Sequence, residues 1–337
     1  MEQIQVTQLD NKHDDLFVVN AARTSFNKWS KVFHPTPDTR LINYLAREQH
    51  SSPFRHVRMA IAFQLSTLCG LPDLNFLDPF DRAGLVTAEV QWNGGTYLVM
   101  KNSLFGWANL IRKWGHLYSE FFNKFVGYQL YQHFPVSAKA LGVPMPIGLL
   151  PARDLVGAYV LPEEELATLG DPWLVDVSFR CKVPIWLSRQ LAKHQVGMSW
   201  NEVSRRYVDT PIELFNQEVR EKPQGSIKQG SCGVADKDSI AYVGIEDDCY
   251  SIDAVMDGLR TWYDECIYLS LAPETLRGFM PQNMMTEYIW SGPLPAFAHM
   301  VNLRSEGHAQ KEAQDFAKKI SAQLHLTHPE LWPNLLK

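Results

Sequence analysis

No uninterrupted hydrophobic stretch in this sequence approaches the roughly 18 residues needed to span a bilayer, so no membrane partner is expected. Cysteine is scarce. Cys69, Cys181, Cys232, Cys249 and Cys266 form neither a CxxC pair nor a regular disulfide framework, and such a scattered, odd set reads as reduced thiols in a cytoplasmic protein. Positive charge is not in surplus either. Lys and Arg total 32 against 37 Asp and Glu, a net charge of −5, which argues against a dedicated nucleic-acid surface and leaves room for a local cationic pocket. The opening MEQIQVTQLDNKHDDL has no basic segment followed by an apolar one, so no signal peptide is expected. No GxGxxG follows a strand, which leaves a Rossmann dinucleotide site unsupported, and there is no fixed-period repeat or low-complexity tract.

What remains is ordinary core material, 45% hydrophobic and 20% charged, in a 337-residue chain long enough for one large domain or two smaller ones. Residues 4–9 alternate like a strand, and Asp14 and Asp15 precede LFVVNAARTSF, which has the period of a helix. HPTPDTR reads as a turn, with Asp38 capping the helix TRLINYLAREQ. HSSPFRH (50–56) is expected as a polar loop, and VRMAIAFQL after it as a strand. From about Thr67 to Leu174 aromatics and turns dominate. AEVQWNGGTYLVM predicts a hairpin around Asn93-Gly94-Gly95, 103–133 has a helical period, and PVSAKALGVPMPIGLLPARD reads as loop. VDVSFRCKVPI (175–185) alternates as a strand, a long polar segment after Tyr207 suggests a loop or lid, and helices are expected at 251–272 and from Pro273. The closing section predicts a buried helix, a break at Arg304–Gly307 and a final amphipathic helix.

The stretch from Val183 to Tyr207, VPIWLSRQLAKHQVGMSWNEVSRRY, organises the rest. It predicts a short amphipathic helix carrying Arg189, Gln190, Lys193, His194 and Gln195, which ends near Gly197 in a polar run through Arg206. That density of donors suits a planar, acidic ligand bearing a phosphate. Arg206 and Arg304 lie in polar runs without helical amphipathicity (SRRYVD, NLRSEGHAQ), where a functional role outweighs a structural one. Other signals are weaker. Gly225 and Gly230 have the spacing of a phosphate loop, but Ser-Cys stands where Lys-Ser/Thr is needed. Cys232 reads as a loop thiol, and His308 with Glu312 as a solvated helix pair without a third metal ligand.

Four blocks, in order, resemble the flavin-dependent thymidylate synthases: DDLFVVNAARTSF, LINYLAREQHSSPFRH, VPIWLSRQLAKHQVGMSWNEVSRRY, and LRGFMPQNMMTEYIW with VNLRSEGHAQKE. KQGS after Tyr207 is also similar to longer members. The resemblance implies an α+β fold (mixed α/β), with an antiparallel or mixed sheet and long helices formed by 1–66 and 175–337, and a family-atypical mixed insertion at 67–174. It implies FAD-dependent methyl transfer from methylenetetrahydrofolate to dUMP, giving dTMP, with NADPH as reductant. It further implies a homotetramer with active sites shared between subunits, in the cytoplasm of a bacterium or encoded by a phage. Carried over by position, Gln190, Lys193, Glu202, Ser204, Arg205, Arg206 and Arg277 would line the nucleotide pocket, and Arg304 would promote ionisation at the uracil ring. His50, Ser52, Lys193, His194, Gln195, Glu202 and His299 would lie near flavin. Ser204 would be a hydrogen-bonding residue and not an attacking group. The close alternatives are a C5 hydroxymethylase and a repurposed nucleotide-binding paralogue.

The chain departs from the family at three places. Lys193-His194-Gln195 stands where the family has Arg-His-Arg, two guanidinium forks fewer, and Met198 adds one residue before Ser204. Pro293-Leu294-Pro295 replaces a polar, arginine-containing flavin-contact segment, and about 110 residues are inserted between elements that are nearly adjacent in typical members.

Overall fold

Two four-stranded antiparallel sheets carry the chain. In this computed structural model the described residues are 3–10, 13–65, 84–146, 157–222, 234–235, 242–245 and 248–337. The first sheet has the order β1-β6-β10-β7, from Gln5–Leu9 (β1), Asp176–Pro184 (β6), Ser199–Glu202 (β7) and Met285–Pro293 (β10). The second has the order β3-β4-β2-β5, from Arg58–Gln64 (β2), Val86–Trp92 (β3), Gly95–Ser103 (β4) and Ala158–Leu161 (β5). A separate two-stranded ribbon joins Tyr242–Ile245 (β8) and Asp248–Ser251 (β9).

Period-two patterning explains the first sheet. Val177, Phe179, Cys181 and Val183 of β6 point into one core with Tyr288 and Trp290 of β10, while Ser178 on the opposite face bonds Ser291 at 2.7 Å. The helices Ile185–Leu191 (α8), Leu294–Arg304 (α11) and Lys311–Thr327 (α12) cover that core with Leu187, Phe297, Phe316 and Ile320. β2 is buried on both faces. Met59, Ile61 and Phe63 meet a core built by the helices Asp15–Arg23 (α1), Pro35–Arg47 (α2), Leu104–Trp114 (α4), Glu120–His133 (α5) and Pro135–Ala140 (α6), while Ala60 and Ala62 meet Val99 and Leu161. The second sheet therefore joins β2, from the segment before residue 67, to three strands from 67–174. Its hairpin turns at Asn93 and Gly94, whose φ values of 46° and 76° are those of a type I′ turn.

Several local expectations are corrected. Asp38 is not the cap of α2. Pro35 starts the helix, because its ring pre-sets φ at the first position, and the buried Asp38 carboxylate accepts the His34 N–H at 2.7 Å and pairs with Arg23. HSSPFRH contains a one-turn helix, Ser52–Arg55 (α3), begun by Pro53, and PVSAKA folds as α6 in the same way behind Pro135. The 103–133 period is broken at Gly115–Leu117. TEYIWSGP is the strand β10, internal to its sheet and buried at every position but Glu287, so the buried helix of the closing section begins only after it, at Leu294. α8 ends at Leu191, and Lys193, His194 and Gln195 sit in the turns beyond it. Glu163–Thr168 (α7), Ile252–Tyr268 (α9) and Pro273–Leu276 (α10) complete the helices used below. No helix among the described residues is long and apolar enough to cross a membrane.

Candidate active site

A cavity of about 370 Å³ opens between the turns after α8 and the start of α11. Lys193, His194, Gln195 and His299 supply its polar lining, and Trp173, Met198 and Pro295 its apolar walls. Gly197, at φ 70°, turns the chain back toward β7, and a Cβ there would lie 3.2 Å from the Pro293 ring. Gly292 is required for a different reason: a Cβ on it would lie 2.4 Å from the Met198 sulfur, so the added methionine lies directly over a residue with no side chain.

Arg304 ends α11 beside this cavity. Its Nε–H donates to His194 Nε2 at 3.3 Å, and its terminal nitrogen donates to the Gln190 carbonyl at 3.1 Å. Burial lowers the Arg304 pKa, and burial with the Arg304 and His299 charges pulls that of His194 down to about 4. His194 is therefore neutral near pH 7, with Nε2 as acceptor and its proton on Nδ1. The His194 and His299 rings meet edge to face at 5.8 Å. Gln190 also donates from its side chain to Gln310 at 3.2 Å. The structure thus brings Gln190, Lys193, His194, Gln195, His299 and Arg304 together.

The other expected site residues lie in separate groups. Arg206 pairs with Glu274 at 2.8 Å and Arg277 approaches the same carboxylate at 3.9 Å. Arg205 donates to the Thr210 carbonyl and lies over the Tyr263 ring at 5.9 Å, and the Ser204 N–H donates to the Ser25 carbonyl at 3.0 Å. The Glu202 carboxylate accepts from Thr286 at 2.8 Å, from Ser188 at 3.1 Å and from the Trp200 indole at 3.1 Å, three donors that fix it against the sheet. His50 meets Tyr44 edge to face at 5.9 Å, and Ser52 begins α3. Among the described residues no hydrogen bond, ion pair or ring contact joins these groups to the Arg304 cluster. The expected pairing of His308 with Glu312 on one helix face is corrected. His308 precedes α12 and pairs with Glu306 at 2.9 Å, while the buried Glu312 binds Arg220 at 2.7 Å. Cys232, Gly225, Gly230 and KQGS lie outside the described residues.

Two features were not foreseen. His56 is fully enclosed behind the site. Its Nδ1 accepts from Ser291 Oγ at 2.8 Å and its Nε2–H donates to Asn201 Oδ1 at 3.1 Å, and burial brings its pKa down to about 4. Arg58 donates to the Gly197 carbonyl at 2.6 Å, tying the cavity turn to a buried ionic ring. In that ring Arg58 faces Asp176 at 3.4 Å, Lys101 contacts Asp176 and Glu163 at 2.8 Å each, and Glu163 accepts from His13 Nε2 at 3.2 Å. His13 Nδ1 closes it by accepting the Arg58 backbone N–H at 3.1 Å. A lone lysine in a strand carries no sequence signal for such a role. The second histidine of HSSPFRH was the one visible hint of His56.

Residues 174–330 match the family described as Thy1, thymidylate synthase complementing protein. Over 325 residues the chain is 27% identical to the flavin-dependent thymidylate synthase of Aquifex aeolicus, covering 91% of this chain and 92% of that protein. It is 31% identical over 143 residues to the enzyme of the same name from Kosmotoga olearia, 42% of this chain and 60% of that one, and 28% identical over 152 residues to that of Dictyostelium discoideum, 44% and 48%. Among solved structures, a UMP/dUMP methylase PolB from Streptomyces cacaoi bound with 5-Br dUMP aligns over 98% of this chain and 94% of its own at 16% identity, with a TM-score of 0.33. Across nearly its whole length, and over the segment holding Gln190, His194 and Arg304 in the family match as well, this chain is similar to flavin-dependent thymidylate synthases.

Proposed function

We propose that the protein is a flavin-dependent methyltransferase that converts dUMP to dTMP, with methylenetetrahydrofolate as carbon donor and NADPH as reductant. The observation that carries this reading is the half-buried Arg304 guanidinium, oriented by His194 and the Gln190 carbonyl at the rim of a cavity that can take a planar ring. Held there, it stabilises negative charge at the edge of a pyrimidine, and a prepositioned donor in a partly dry site costs little reorganisation. The cavity fits a flavin ring. Trp173 and Met198 offer flat and polarisable walls, and the imidazoles of His194 and His299 offer hydrogen bonds at the edges. The flavin supplies hydride and one-carbon chemistry when bound. Among the described residues Lys193 is the one lysine or arginine on that lining, in keeping with the loss of two arginines from the family pattern.

The phosphate of the nucleotide falls to Arg205, Arg206 and Arg277. Arg206 and Arg277 now share Glu274 in an exposed arrangement worth at most about 1 kcal/mol, so a phosphate dianion can displace that carboxylate. Ser204 and Glu202 orient the nucleotide by hydrogen bonds, and no side chain serves as nucleophile. Because the arginine group, the Arg304 group and His50 with Ser52 occupy separate patches of one chain, we place them together across subunits of a homotetramer. In this reading 1–66 and 175–337 form the catalytic unit and 67–174 are its insertion.

The test is direct. Purified protein given labelled dUMP, methylenetetrahydrofolate, FAD and NADPH is expected to form dTMP, identified by mass, and to show a flavin band near about 450 nm. Persistent absence of that band after FAD addition would sink the flavin assignment, and a hydroxymethylated product would replace the methyl one. A covalent Ser204–nucleotide adduct would overturn the hydrogen-bonding role.

A further inference from the structure

One wall of the cavity beside Arg304 comes from outside the segment that matches the family. Lys193, His194, Met198, Pro295 and His299 lie within residues 174–330, while Trp173 closes the 67–174 segment just ahead of them. The Trp173 side chain is 42% exposed, and among the described residues it makes no hydrogen bond or ring contact. Its backbone is held on both sides. The Asp171 carboxylate accepts the Trp173 N–H at 3.0 Å, and the next side chain, Leu174, is fully buried in the core that holds Val99 and Leu161. The Leu174 carbonyl accepts from Lys101 of the buried ionic ring, and the Val175 carbonyl accepts the Leu294 N–H at 3.0 Å where α11 begins. A large apolar ring left half in water, on backbone already fixed at the edge of a cavity, can cover a planar ligand at little entropic cost.

We propose that the Trp173 indole stacks on the flavin ring, so that the 67–174 segment supplies a cofactor-binding residue. The proposal rests on the flavin reading above and names the residue that holds the ring. The lining carries one ammonium, from Lys193, and no guanidinium. Pro295 stands in the segment where the family pattern has an arginine. Stacking needs no charge, and the contact area of an indole offsets hydrogen bonds that the missing arginine forks no longer make. The three fused rings of a flavin offer an indole more face than a single pyrimidine does, which assigns Trp173 to the cofactor and not to the nucleotide base. Lys101 and Glu163 come from the same segment as Trp173, and the ring they form with Arg58 also holds the Gly197 carbonyl. One set of buried charges therefore fixes both the indole and the turn that carries Lys193, His194 and Met198.

The experiment is titration of the full-length protein with FAD, read by affinity and by the emission of the bound flavin. Trp173→Leu is expected to weaken FAD binding about tenfold. Its Tm should stay at the wild-type value, because the side chain is half-exposed. A stacked indole quenches an excited flavin by reversible electron donation, so bound flavin should be dim in the wild type and severalfold brighter in Trp173→Leu. Trp173→Phe separates the two readouts: a phenyl ring restores most of the affinity but donates poorly, so the emission stays high. Trp29→Leu removes a similarly exposed indole outside the cavity and should change neither. Wild-type affinity and emission in Trp173→Leu would overturn the stack and leave the flavin reading standing, whereas a wild-type protein that takes up no FAD would overturn both. Normal FAD binding in Trp173→Leu with weakened methylenetetrahydrofolate binding would assign the indole to the pterin and likewise overturn the proposal.

Discussion

Lys101→Met removes one charge from the buried ring that anchors the cavity turn. Lys101 is 1% exposed, and its ammonium contacts Asp176 and Glu163 at 2.8 Å each. Methionine keeps the stem packed but leaves two carboxylates facing each other with fewer cations. Breaking a buried ion pair by removing one partner costs about 3–5 kcal/mol, and because Arg58 still faces Asp176 and His13 still bonds Glu163, the lower end, about 3 kcal/mol, is expected. A second route gives a similar figure. Burial pushes the Glu163 carboxyl up, but the Lys101 charge and the His13 hydrogen bond outweigh it and bring the pKa from 4.5 down to about 2. At about 1.4 kcal/mol per pH unit, this drop of about 2.5 units corresponds to about 3.5 kcal/mol, an upper bound because the Glu163 side chain is 22% exposed. A depressed carboxyl pKa stabilises the fold fully above about pH 4.5, and that contribution is lost as pH falls toward 2. Urea unfolding at pH 7 and at a series of acid pH values is the assay. The variant should lose about 3 kcal/mol at pH 7 and show a shallower acid decline. A loss below about 1 kcal/mol, or an unchanged acid limb, would refute the reasoning.

Arg304→Ala is expected to lower kcat by about 100-fold or more with the circular dichroism spectrum retained, and unchanged dTMP formation would contradict its role. His194 should titrate near pH 4 by NMR. Its pKa is depressed below 6.5, so the stability tied to its neutral form is full above that value and lost as pH falls through about 4. Arg304→Met should raise the midpoint, and a wild-type value near 6.5 would rule out the contact. Gly292→Ala should destabilise by about 1–3 kcal/mol, because its methyl would lie 2.4 Å from the Met198 sulfur, and Met198→Ala should restore much of the loss in thermal unfolding.

Much of the fold could be read from local pattern. The alternation of 5–9 and 175–185, the Asn93-Gly94 turn and the acidic start of α1 each carry their own signal, because period and turn chemistry are properties of adjacent residues. β10 escaped because a strand buried on both faces does not alternate. Lys193, His194 and Gln195 were placed on a helix that stops at Leu191; the break near Gly197 was legible from its glycine, but the Met198 contact with Gly292 cannot be read before β7 is paired with β10.

The sequence by itself determined the family resemblance, the two arginine-bearing polar runs and the departures at 193–195 and 293–295, because those are statements about residue type and order. Tertiary structure alone decided which of these residues meet. It set Arg304 against His194 and left Arg205, Arg206 and Arg277 apart from it. It also closed a ring from His13, Arg58, Lys101, Glu163 and Asp176, residues up to 163 positions apart in the chain. Charges this distant share no local pattern. Burial makes their pairing obligatory, and burial exists only once both sheets have formed.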